Sequence, residues 1–211
     1  MQLIATTGPA ASSRSTAGIG RSIASRIGVG QHTADATLRA SAREIAGRNV
    51  AVGKVHSGGP LLCPALHSQL AKALGEPLGA ALRAGFEWYY CRGAFFHNDA
   101  HYDARLFGVW CIVSPAMDLV FPRAEVRVAV APGSIVVFDP FEVHGVLASG
   151  CSAYAAHDYQ KVNASVYLGF ELDITPAIAE LFEIQDCIGP GPVISSQTRI
   201  DATSGAIECF D

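Results

Sequence analysis

The sequence predicts a mainly β (α+β) domain: a sandwich or barrel preceded by supporting helices. Three observations point that way. Beyond Phe86, short runs rich in Val, Ile, Phe, Tyr and Trp recur at residues 86–92, 106–113, 126–130, 134–138 and 162–171. Gly, Pro and Asp punctuate the gaps between them. Helical patterning is concentrated before Phe86, so strands do not alternate with helices as in a βαβ protein.

In chain order, residues 1–34 are rich in Ala, Ser, Gly and Thr and carry Arg14, Arg21 and Arg26 without an acidic residue. Ile19, Ile23 and Ile27 recur there at helical spacing. A transit peptide shares this composition, but a mobile or loosely docked extension over residues 1–32 accounts for it more simply. Residues 33–211 then form one domain. Residues 33–46 read as a helix capped by Thr33 and stopped by Gly47, and residues 49–55 as a strand. His56-Ser-Gly-Gly-Pro60 reads as loop, 64–74 as a helix closed by Gly75, and 78–83 as a third helix. Residues 175–182 resemble a short helix, and the tail from 192 a hairpin turning at Ser204-Gly205.

Composition limits the function. Half of the 211 residues are apolar and 16% are charged, which is a globular balance. A net charge of −4 leaves no electrostatic footprint for nucleic acid or an anionic membrane. No apolar run approaches the roughly 20 residues that span a bilayer. Cys63, Cys91, Cys111, Cys151, Cys187 and Cys209 are irregularly spaced, with no Cys-x-x-Cys. They read as reduced thiols of a cytoplasmic protein.

The chemistry concentrates in one stretch. His97-x-Asp99 precedes a β-type run, and His144 follows a glycine-led strand that ends at Asp139-Pro140. Along a strand, positions i and i+2 share a face, so His97 and Asp99 aim together. His101 and Asp103 share that parity, but positions 97 and 103 lie ~20 Å apart on a strand. One pair serves, therefore. His97 and Asp99 leave more chain for the connection to the run at Leu106, and His101 with Asp103 is the alternative. Asp139 and Glu142 compete with His144 but suit turn and surface roles. Two histidines and one carboxylate form the facial ligand set of non-haem Fe(II) sites, with open coordination positions.

Over residues 86–171 the chain resembles the Fe(II)- and 2-oxoglutarate-dependent oxygenases. Tyr90-x-x-Gly93 ahead of His97-x-Asp99, and Gly133-Ser-Ile-Val-Val-Phe-Asp139 followed by His144-Gly145-Val146, carry the resemblance. It implies a double-stranded β-helix (jelly-roll, cupin-like) core and Fe(II) at His97, Asp99 and His144. It also implies O2 and 2-oxoglutarate as cosubstrates, oxidising a small-molecule or amino-acid-like substrate with release of succinate and CO2. The family's arginine is replaced by Asn163-Ala-Ser165. Lys161 is then the expected anchor for the far carboxylate, with Ser165, Asn163 and Tyr90 assisting and Arg127 as its rival. Two readings compete: a cupin-type metalloenzyme that does not use 2-oxoglutarate, and a non-catalytic jelly-roll binding module.

Overall fold

The computed structural model of the chain describes residues 1–6, 13–16, 19–102, 104–186 and 193–207. The N-terminal part contributes β1 (Gln2–Ala5), β2 (Ser13–Thr16), β3 (Ile19–Ser22), β4 (Arg26–Gln31), α1 (Ala36–Ala46), β5 (His56–Leu61), α2 (Pro64–Leu74) and α3 (Leu78–Ala81). Then follow β6 (Phe86–Cys91), β7 (Ala94–His97), β8 (Arg105–Val113), β9 (Met117–Phe121), β10 (Val126–Val130), β11 (Ser134–Phe138), β12 (His144–Ala148) and β13 (Ser165–Asp173). The chain closes with α4 (Pro176–Phe182) and β14 (Val193–Ile194).

From β6 to β13 the chain passes back and forth between two sheets. The larger has the order β1-β4-β11-β8-β13-β6-β5 and the smaller β10-β9-β12-β7. That alternation is a double-stranded β-helix. Period-two patterning explains it residue by residue. In β8, β11 and β13 one parity (Trp110, Ile112, Ile135, Val137, Val166, Leu168, Phe170) packs with the helices. The other (Phe107, Cys111, Val136, Phe138, Tyr167) faces the smaller sheet. Both faces are covered, which is why β11 reads as a nearly continuous apolar run. Among the described residues no helix is long and apolar enough to cross a membrane.

Several expectations need correction. The first thirty-odd residues do not form a loosely docked extension throughout. β4 pairs antiparallel with β11, β1 pairs with β4, and Ile27 is buried. Gly28 and Gly30 interrupt the apolar alternation there, so the strand reads as low-complexity chain. The strand expected at 49–55 is absent, and the supposed loop at His56 is β5, paired with β6. Its register shifts between Ser57 and Gly59, and a Cβ at Gly58 would lie 2.8 Å from that of Trp88. The glycines make a bulge beside a bulky neighbour rather than a loop. Helix α1 is capped by Asp35, whose side chain accepts the Leu38 N–H at 2.7 Å, and not by Thr33. Strand β9 went unpredicted, because Asp118 and Pro115 mask a short run. The last long strand starts at Ser165 rather than 162. In the tail, Ile200 and Ile207 bridge antiparallel around a turn at 202–204.

Candidate metal centre

Strand β7 ends on His97 and β12 begins on His144, and the two are direct partners in the antiparallel register. Opposed residues present side chains on one face, and the two imidazole centroids are 4.5 Å apart. Each ring is fixed by its own backbone. Nδ1 of His97 meets the Phe95 carbonyl at 2.8 Å, and Nδ1 of His144 meets the Glu142 carbonyl at 2.9 Å. A carbonyl only accepts, so Nδ1 carries the proton and each Nε2 is left as a lone-pair donor towards the shared space.

Asp99 does not sit on the strand. It follows in the connection to β8, where its N–H donates to the Pro140 carbonyl at 2.7 Å. That bond ties the β7–β8 loop to the β11–β12 loop. The Asp99 carboxylate lies 3.4 Å from His144 Nε2 and 3.9 Å from His97 Nε2. One ligand atom from each of the three residues falls within 4.8 Å of the others, and this is the one such cluster found among the described residues.

The electrostatics suit a cation. Burial, then the charge of His144, push the His97 pKa down to about 4, so the ring is neutral at pH 7. Burial alone would raise the Asp99 pKa, but the hydrogen bond and charge of His144, with His97 and His101, hold it below the ordinary carboxylate value. A neutral His97 ring and an ionised Asp99 carboxylate are protonation states that metal binding requires.

The cluster opens into a cavity of about 290 Å³ walled by Tyr89, Tyr102, Phe107, Leu119, Phe138 and Tyr167. The Tyr89 hydroxyl donates to Glu87 at 2.9 Å and lies 2.7 Å from that of Tyr102, from which it accepts. The Tyr167 hydroxyl is fully buried, close to the hydroxyls of Ser165 and Ser114. Cys91 also faces the cavity, and burial pushes its thiol up to about 12, leaving it neutral.

The other sequence-predicted residues lie elsewhere. Lys161 and Asn163 are exposed, in a turn that ends before β13 begins. Ser165 is fully buried and shares a hydrogen bond with Ser114 at 2.9 Å. Tyr90 points to the helix side of β6 and stacks on His56, its centroid 5.6 Å away. Arg127 bonds to Asp118 and to the Cys151 carbonyl, both at 2.6 Å. None of the five lines the cavity. On β6 the cavity is faced by Tyr89, of the opposite parity to Tyr90, and it is the helices packed on the other face that decide between the two. His101 is exposed at the cavity rim with its ring 4.2 Å from that of Tyr102, and Asp103 lies outside the described residues. Asp139 and Glu142 are no part of the cluster. Asp139 accepts the N–H groups of Ala24 and Phe141, while Glu142 pairs with Arg123 and is pushed up to about 6 by burial.

No family model matches the chain, and no curated protein matches it. Among solved structures, a Pseudomonas putida prolyl-4-hydroxylase is 20% identical, with a TM-score of 0.41 over 71% of this chain and 93% of that one. SnoK, a non-heme alpha-ketoglutarate-dependent carbocyclase from nogalamycin biosynthesis, is 14% identical, with a TM-score of 0.38 over 80% and 88%. A putative mannose-6-phosphate isomerase from Ralstonia eutropha is 15% identical, with a TM-score of 0.33 over 61% and 94%. At such distances the activity of this chain stands on its own site.

Proposed function

We propose that this chain is a mononuclear Fe(II)-dependent dioxygenase that oxidises a small organic substrate with the help of a 2-oxo acid. The observation that carries the proposal is the convergence of His97, Asp99 and His144 in the lining of an apolar cavity. Two imidazoles and one carboxylate on one side of an ion leave its other side open, the arrangement of non-haem Fe(II) oxygenases. Bound there, iron supplies the activation of O2.

The protein's own residues do the rest. His97 and His144 offer Nε2 because the Phe95 and Glu142 carbonyls hold their Nδ1 protons. Asp99 supplies the compensating charge. Phe107, Phe138 and Leu119 give the open side an apolar wall, which disfavours water beside a strong oxidant. The tyrosine pair Tyr89–Tyr102 closes one wall.

The donor set fits iron. The resemblance also implies 2-oxoglutarate, and here the fit is partial. Its 2-oxo acid end needs only the metal's open positions. Its far carboxylate needs a cation, and the cavity wall offers tyrosine, phenylalanine, valine and leucine side chains, with no Lys or Arg among the described lining residues. The same lining favours a second reading, a cupin-type metalloenzyme that dispenses with 2-oxoglutarate.

The test is iron uptake. The protein and its His97→Ala, Asp99→Ala, His144→Ala and His101→Ala variants are loaded anaerobically with Fe(II) and desalted, and bound iron is measured. The first three variants should lose the iron and His101→Ala should keep it. Retention by His97→Ala with loss in His101→Ala would overturn the assignment.

A further inference from the structure

We infer that the cavity selects a 2-oxo acid with an uncharged, apolar tail and discriminates against 2-oxoglutarate. This rests on the iron proposal above but goes past it, because it names the ligand that shares the metal.

The inference follows from where the cations are. Among the described residues no Lys or Arg lines the cavity, and the arginines on the strands and loops around it are engaged elsewhere. Arg127 is held by Asp118 on the smaller sheet. Arg92 binds the Val50 carbonyl through Nε at 3.0 Å and Nη2 at 2.6 Å. Arg105 pairs with Glu171, and Arg83 with Asp173 at 2.6 Å, in a separate polar pocket behind the Tyr89–Tyr102 wall. Lys161 is in solvent.

Apart from the metal-ligand histidines, the one described lining residue that can carry a positive charge is His101 at the rim. The strand positions deeper in the wall carry other groups. On β9 the inward residue is Leu119, and on β13 it is Tyr167. The Tyr167 hydroxyl is buried beside the hydroxyls of Ser165 and Ser114, and a phenol cannot neutralise a charge. A carboxylate driven into such a wall stays desolvated and unpaired, which is costly. An alkyl tail of the same shape gains from burial instead.

The discriminating pair is 2-oxoglutarate and 5-methyl-2-oxohexanoate, in which an isopropyl group replaces the far carboxylate. Iron content is measured first, so that failure to bind metal is seen separately. The anaerobic Fe(II) protein is then titrated with each acid, following the metal-to-ligand charge-transfer band. The isopropyl compound should bind at least about tenfold more tightly, the equivalent of one unfavourably buried polar group. Leu119→Lys places an ammonium in the wall and should move the preference back towards 2-oxoglutarate. If that variant does not load iron, the two titrations of the unaltered protein decide. Without iron uptake the oxygenase proposal itself falls. Iron uptake with 2-oxoglutarate as the tighter ligand overturns only the present inference. Iron uptake with no band for either acid overturns it and also removes the 2-oxo acid from the proposed function.

Discussion

Replacing Arg127 with Met separates a structural cation from a cosubstrate anchor. In the fold, Arg127 Nη1 donates to Asp118 at 2.6 Å, and Asp118 also accepts from the Ser149 hydroxyl and the Gly150 N–H at 3.1 Å each. The Asp118 side chain is 7% exposed and that of Arg127 36%. Burial by itself would raise the Asp118 pKa, but Arg127 and these two donors hold it below its ordinary value. Breaking a fully buried pair costs about 3–5 kcal/mol. The half-open arginine and the two remaining donors reduce that to roughly 1–2 kcal/mol, or about 2–8 °C in Tm for a domain of this size. The sign with pH follows from the depressed carboxylate. Its contribution is complete above the unfolded value near ~3.9 and disappears as pH falls through the lower folded value. The gap between protein and variant should therefore be widest at neutral pH and close in acid. Thermal unfolding at pH 7 and pH 3, beside chelator titration of the iron-loaded protein, measures both. An unchanged Tm with weakened 2-oxo acid binding would refute this placement and make Arg127 the anchor.

Gly169→Ala puts a Cβ 2.4 Å from Tyr89 Cε2 and 3.1 Å from Phe107 Cζ. It should cost about 1–3 kcal/mol by overpacking and weaken 2-oxo acid binding while sparing iron; an unchanged Tm would count against the tight wall. In the metal-free protein, stability should fall as pH drops from about 6.5 to about 4, because the unfolded chain protonates His97 where the buried ring resists. Urea midpoints across that window should flatten in His97→Asn, and parallel slopes would remove His97 as the cause. Deleting residues 1–31 takes β1 and β4 off the larger sheet and should abolish cooperative folding. A soluble truncated protein that still takes up iron would restore the idea of a dispensable extension.

The fold was legible wherever a strand kept its period. β6, β8, β10 and β11 were placed within a residue or two because alternating or continuous β-branched runs mark a buried sheet. β4 and β5 were missed because glycine does their work. Gly28, Gly30 and Gly58 contribute no apolar side chain, and what makes those segments strands is a neighbour across the sheet. The metal ligands were legible by type and interval, although Asp99 reaches the site from a loop and not from strand parity. The carboxylate anchor was not legible. Lys161 and Asn163 extend the polar parity of β13 in the sequence, but the strand starts only at Ser165, so the face they continue has already turned into solvent. Tyr90 was one residue off: Tyr89 has the inward parity, and only the position of the helices shows which face is which.

The ligand geometry depends on a residue that touches no ligand. Asp99 is aimed by the bond from its N–H to the Pro140 carbonyl, so whatever fixes Pro140 fixes the carboxylate. The neighbouring Asp139 is 1% exposed and accepts the Phe141 N–H at 3.0 Å and the Ala24 N–H at 2.9 Å. Ala24 lies just ahead of β4, so the N-terminal segment holds the loop that positions the metal ligand. Asp139→Ala removes two charge-assisted hydrogen bonds and should cost about 2–4 kcal/mol of stability. It should also weaken iron by about 10–100-fold, as loss of outer support for a ligand does. Measured at low temperature, where the variant remains folded by circular dichroism, the iron titration isolates the positioning effect from unfolding. An Asp139→Ala protein that is less stable yet binds iron with unchanged affinity would mean that the Asp99 loop holds its own shape, and the link from Ala24 to the metal site would be lost.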